Sequence, residues 1–207
     1  MRLGLMGGTF DPIHYGHLFA AEEARIDMSL DRVIFVPTGA PPHKRREGMA
    51  SAEERYEMTL LATNDNSFFD VTRIETDRIG NSYTVDTLRR MGETYPGAEL
   101  FLIVGEDAVH DIPTWKSPAE IISLSSLIVV SRPGFSHDKI DELPEMIREK
   151  ALVLRTPLLD ISATDIRDRI ASGRGVGYLL PHPVMRYIVR RGLYLIPKIN
   201  QLDGGMK

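Results

Sequence analysis

Six short apolar runs punctuate the chain: Leu3–Met6, Val33–Val36, Phe69–Val71, Leu100–Val104, Leu127–Val130 and Leu152–Leu154. Runs without polar alternation are expected of strands buried on both faces. Between them apolar residues fall at helical spacing, predicting helices over Leu18–Met28, Ala52–Thr63, Val85–Tyr95, Ala119–Leu124 and Ile140–Lys150. Strands alternating with helices imply an α/β fold, a doubly wound parallel sheet with helices on both faces. After Leu154 the strands stop. Ser162-x-x-Asp165 opens a predicted helix over Ala163–Ser172 and Gly173 closes it. A second helix is expected from Pro183 to Arg191, with proline tolerated in its first turn. The expected organisation is a single domain: a core over 1–155, a small C-terminal helical appendage over 156–197 and a polar, frayed tail over 198–207.

In such sheets ligands bind beyond the carboxyl ends of the strands. Those ends carry Gly7-Gly8, Pro37-Thr38-Gly39, Gly105-Glu106-Asp107 and Ser131-Arg132. The first is the most informative, because Gly7-Gly8-Thr9-Phe10-Asp11-Pro12-Ile13-His14-Tyr15-Gly16-His17 follows it without a break. A glycine pair at a strand end, unpaired N–H groups at a helix start and two imidazoles three residues apart together suit a polyphosphate. Two better-known phosphate loops are excluded by spelling. The segment has no Gly-x-x-x-x-Gly-Lys-Ser/Thr, and Gly4, Gly7 and Gly8 have the wrong spacing for Gly-x-Gly-x-x-Gly. A tight turn with two surface histidines is the bland alternative; the His-x-Gly-His ending argues against it.

Composition narrows the classes further. A formal net charge of −4 over 207 residues argues against a general nucleic-acid or membrane-surface partner. The chain has no cysteine, so disulfides, thiolate catalysis and cysteine-ligated zinc are excluded. No apolar run approaches a membrane span, and the first six residues are too short for a secretion signal. A cytoplasmic location is expected. The six histidines show no zinc-site spacing, so no protein metal ligand is expected.

The first motif resembles the signature of the nucleotidylyltransferases, in the spelling typical of bacterial nicotinate-nucleotide adenylyltransferases. Four further segments extend the resemblance: Pro41-Pro42-His43-Lys44, Ser82-Tyr83-Thr84-Val85-Asp86-Thr87-Leu88, Gly105-Glu106-Asp107 with Trp115-Lys116, and Ile161-Ser162-Ala163-Thr164-Asp165-Ile166-Arg167. It runs from about Met1 to Ile196 and implies a Rossmann-like fold. It also implies transfer of AMP from ATP to nicotinate mononucleotide, with Mg2+ arriving on ATP. His14, His17, Lys44 and Arg167 are then the catalytic candidates. ATP contacts fall to Gly7, Gly8, Thr9, Phe10, His14, His17, Gly105, Asp107, Ser162, Thr164 and Arg167. The acceptor mononucleotide would meet Thr84, Asp107, Trp115, Lys116 and Arg132. One departure is Ala163, where the family's late signature has a second serine.

Adenylyl transfer needs no catalytic base, because the attacking phosphate is already an anion. Aligning two polyanions and offsetting charge on departing pyrophosphate is what the protein must supply. This explains why no serine, cysteine or carboxylate triad is needed. Arg167 can bind phosphate as a planar fork, whereas Arg45 and Arg46 read as solvated loop charges. Taken as a bare aromatic, Trp115 reads more readily as core than as a stacking platform. The rivals are the same chemistry on nicotinamide mononucleotide or phosphopantetheine, and a non-catalytic nucleotide sensor. An aminoacyl-tRNA synthetase-like protein shares His-x-Gly-His, but its Lys-Met-Ser-Lys-Ser-like loop, anticodon-binding domain and basic surface are missing. A homo-oligomer is left open.

Overall fold

A computed structural model describes residues 1–40, 48–131, 142–157 and 159–195, with the backbone alone for Asp107. Strands β1 (Arg2–Gly8), β2 (Arg32–Pro37), β3 (Phe69–Val71), β4 (Glu99–Gly105), β5 (Ser126–Ser131) and β6 (Ala151–Arg155) form one sheet. Its order is β3-β2-β1-β4-β5-β6, and every pairing is parallel. All six expected strands are present. The order reverses between β1 and β4, so the crevice beyond their carboxyl ends is the topological switch point.

Alternation along the strands divides the interior. Leu3 and Leu5 of β1, Ile34 of β2, Leu100 and Leu102 of β4 and Leu127 and Val129 of β5 share one face. Helix α3 (Thr84–Thr94) covers that face with Val85, Leu88 and Met91, and α5 (Pro118–Leu124) adds Ile121 and Ile122. On the other face Met6, Val33, Phe35, Phe101, Ile103 and Ile128 meet α1 (Tyr15–Asp27) and α2 (Ala52–Thr63). The middle residues of β1, β2, β4 and β5 thus meet apolar side chains whichever way they point, the physical origin of those unbroken apolar runs.

Differences from expectation sit at element ends and sheet edges. Helix α1 begins at Tyr15, and the expected helix over Ile140–Lys150 is only the single turn α6 (Glu145–Arg148), residues 140 and 141 lying outside the described set. Pro144 occupies the N-cap of that turn and disfavours helix before it. Among the described residues strand β6 pairs only with β5, and Leu152 is 39% exposed, so this run is an edge strand and not a doubly buried one. A short helix α4 (Glu106–Val109) and a 3-10 turn at Ile112–Thr114 follow β4, too brief to leave a periodic signal. Helices α7 (Ala163–Ala171) and α8 (His182–Arg191) send Ile166, Val184 and Ile188 into the cluster that holds α1 and α2. Gly173 and Gly192, at φ +71° and +64°, end them in the left-handed conformation expected after a helix.

Candidate active site

Strand β1 ends at Gly8, and the chain bends into α1 through Phe10 at φ +49° and a cis Asp11–Pro12 peptide. Phe10 is 2% exposed, with its ring edge-on to His17 and tilted against Phe35. Its side chain belongs to the core, and only its backbone is available to a ligand. A Cβ on Gly7 or Gly105 would meet nothing within 4 Å. Gly7 is the last residue but one of β1 and Gly105 ends the neighbouring β4, so their lack of side chains leaves room at the switch point without serving packing.

The two histidines form one unit. His14 is the N-cap of α1, in extended conformation, and His17 lies three residues on. Their rings stack at 3.7 Å between centroids, and the His14 N–H donates to Nδ1 of His17 at 3.3 Å. With Nδ1 accepting, neutral His17 carries its proton on Nε2, the nitrogen left to donate. Gly16 gives the His14 ring room: a Cβ there would lie 3.0 Å from Nδ1 of His14, a tight contact that the ring would have to relieve by shifting. Burial pulls the His14 pKa down to about 4. Burial, and then the neighbouring His14, pull His17 well below the ordinary histidine range. Both rings are therefore neutral at physiological pH in the free protein. His14 is 5% exposed, and among the described residues its buried Nδ1 has no hydrogen-bond partner.

Arg167 reaches this loop from the second turn of α7. Its Nη1 donates to the Asp11 carbonyl at 2.7 Å and its Nη2 to Oγ1 of Thr164 at 2.9 Å. Ser162 is the N-cap of α7, accepting from the Asp165 N–H at 3.0 Å. Asp11, 4% exposed, accepts from the Ala50 N–H at 3.1 Å and the Tyr194 hydroxyl at 2.7 Å. Tyr194 was passed over in sequence; with Asp11 it makes a tie between the loop and the C-terminal end.

A second group assembles at the N-terminus of α3, where Thr84 is the first residue and the N-cap Tyr83 makes no side-chain cap. Nζ of Lys116 donates to Oδ2 of Asp86 at 3.0 Å and lies 4.6 Å from the Tyr83 ring centroid. These contacts tie Lys116 to the first turn of α3. Trp115 is half-buried, packed in part on the α3 face of the core. Lys44 and Arg132 lie outside the described residues, as does the Asp107 side chain; the Asp107 backbone opens α4 directly after Gly105.

A cytidylyltransferase-like family model matches residues 5–169. A protein of Desulfitobacterium hafniense named probable nicotinate-nucleotide adenylyltransferase is 50% identical over 200 residues, covering 94% of this chain and 96% of its own. One of the same name from Thermoanaerobacter sp. is 47% identical, with 94% of each chain covered. The chain belongs to the nicotinate-nucleotide adenylyltransferase family. Its fold is also that of the Plasmodium falciparum nicotinic acid mononucleotide adenylyltransferase complexed with NaAD, at TM-score 0.76 and 18% identity, covering 93% and 97% of the two chains.

Within this family member the rim residues do not stand alone. Thr38 donates to the Gly8 carbonyl through its N–H at 2.9 Å and its hydroxyl at 3.2 Å, tying the end of β2 to the end of β1. Arg55 of α2, only 1% exposed, was missed from sequence. A signal existed: it lies on the same buried face of α2 as Met58 and Thr59, where a cation is out of place unless fully partnered.

Proposed function

We infer that the protein transfers AMP from ATP to nicotinate mononucleotide, forming nicotinate adenine dinucleotide and pyrophosphate in NAD biosynthesis. An oxygen of the acceptor's phosphate attacks the α-phosphorus of ATP, and the bond from that phosphorus to the β-bridging oxygen breaks. The stacked pair His14 and His17 carries this reading, placed at a helix N-terminus beside the open rim of Gly7 and Gly105. Nε2–H of His17 donates to a phosphate oxygen, and Gly8, Thr9 and Phe10 offer backbone contacts. Arg167 and Thr164 border the same loop, and Lys44 supplies a further charge to the phosphates. These groups offset negative charge that grows on the leaving pyrophosphate.

The N-terminus of α3 suits the nicotinate carboxylate, since an uncapped helix start offers N–H groups to an anion. Trp115 stacks on the pyridine ring, Lys116 adds positive charge, and Asp107 takes ribose hydroxyls. Magnesium enters as part of the ATP substrate. Among the described residues no group of three or more His, Asp or Glu side chains could hold a metal ion, and no helix is long and apolar enough to cross a membrane. We place the reaction in the cytoplasm. The test is pyrophosphate release with magnesium ATP and, in parallel, nicotinate mononucleotide, nicotinamide mononucleotide or phosphopantetheine. Fast release with the nicotinate acceptor is expected. A preference for either other acceptor overturns the α3 pocket, and tight ATP binding without release from any acceptor points to a sensor.

A further inference from the structure

The Arg55 guanidinium spends its donors on three separate stretches of chain. Nη1 donates to the Thr9 carbonyl at 2.7 Å, Nη2 to the Gly39 carbonyl at 3.0 Å and Nε to the Ala50 carbonyl at 3.2 Å. Thr9 lies in the loop after β1, Gly39 follows β2, and Ala50 enters α2. Ser51 and Glu54 cap that helix reciprocally and fix the turn from which Arg55 projects. Gly39 is held equally tightly on its other side: a Cβ there would collide with the Glu75 carbonyl. Burial pulls the Arg55 pKa below its ordinary value, and the nearby Asp11, Tyr194 and Glu75 offset only part of that cost.

A buried cation whose three nitrogens each donate to a backbone carbonyl does no packing that an apolar side chain could not do more cheaply. What it adds is a fixed spacing between the strand ends that flank the phosphate loop. We propose that Arg55 is a positioning residue, setting the orientation of the Gly8–Phe10 backbone toward the ATP phosphates through the Thr9 carbonyl while fixing Gly39 and Ala50 beside it. The proposal rests on the adenylyl-transfer reading. Binding of ATP depends on many contacts, but alignment at the reacting phosphorus tolerates little displacement. Loss of Arg55 therefore falls mainly on kcat.

Lysine cannot reproduce the three-way fork, so Arg55→Lys is the primary variant and Arg55→Ala the second. For folded Arg55→Lys, kcat is expected to drop on the order of 100-fold, with KM for ATP within about threefold of the parent. In Arg55→Ala, added guanidinium should restore at least about tenfold of the lost rate by occupying the vacated site. Hydrogen exchange supplies a readout independent of activity: a peptide spanning residues 7–10 should exchange about tenfold faster in either variant, with β4 and β5 unchanged. Parent-rate exchange in that peptide, or a kcat within about threefold of the parent despite a lowered melting temperature, would overturn the proposal. Turnover by the unaltered protein is measured alongside. Its absence would overturn adenylyl transfer, while the exchange experiment still judges Arg55.

Discussion

A histidine beside a polyphosphate usually gains from being charged, yet His14 and His17 are buried against each other with both pKa values depressed. Two stacked imidazoles at 3.7 Å cannot both be cations without an anion beside them. ATP supplies one, so binding should draw a proton onto the pair. Calorimetric titration with ATP near pH 6.5, in buffers of different ionisation enthalpy, is expected to show net uptake of up to about one proton per site. Buffer-independent heats would mean the rings bind phosphate as neutral donors. The free protein gives the complementary prediction. The His14 pKa in the fold, about 4, lies below its unfolded value of 6.5, so the unfolded chain binds more protons between those limits. Stability then rises with pH across that window and falls as the protein is acidified, by on the order of 3 kcal/mol if His14 acts alone. In His14→Asn, denaturant midpoints measured from pH 7 to pH 4 should lose most of that His14-linked slope. For His17→Ala, loss of a donor at the reacting phosphates is expected to lower kcat by about 100-fold or more in steady-state assays.

Helix α1 shows how an element can be legible while its chemistry is not. Its existence and its His-x-Gly-His start were readable, because helical periodicity and an anion-binding terminus both leave marks in sequence. The reason for Gly16 was not, since it depends on where the His14 ring lies in space. Gly16→Ala separates helix formation from the site. Alanine favours the helix by about 1 kcal/mol, while its Cβ would lie 3.0 Å from Nδ1 of His14 and push that ring aside. Melting temperature should move by only a few degrees, whereas kcat should fall on the order of 100-fold. A variant with parent kcat would show that the stack is dispensable. Helix α2 teaches the converse. Its boundaries followed from the apolar pattern, but the pattern gave Arg55 no role. The carbonyls that explain it belong to Thr9 and Gly39, 46 and 16 residues away.

On the scale of the whole molecule, the sheet brings its loops to one rim and long-range polar contacts lock them there. That the sheet is parallel and covered on both faces follows from its unbroken apolar runs, which is why it could be expected from sequence; the order of its strands was read only from the structure. The locks could not, because they join residues far apart in the chain: Arg167 to Asp11 across 156 positions and Tyr194 to Asp11 across 183. Tyr194 sits at φ +64° just beyond α8 and donates to a carboxylate that is 4% exposed. The C-terminal helices thus hold the phosphate loop from outside the sheet, as Thr38 and Arg55 hold it from within. Tyr194→Phe removes one hydroxyl and leaves the ring in place. Losing a hydrogen bond to a buried charged acceptor should cost about 1.5–3 kcal/mol, a fall of roughly 3–12 °C for a chain of this size. ATP affinity should fall with it, because the Asp11 carboxylate loses the contact that fixes it beside the loop. Thermal unfolding with and without saturating ATP distinguishes the two ways this could fail. An unchanged melting point would mean that the bond adds no stability. A lowered melting point with the parent's ATP-induced shift would mean that the C-terminal end braces the fold without shaping the site.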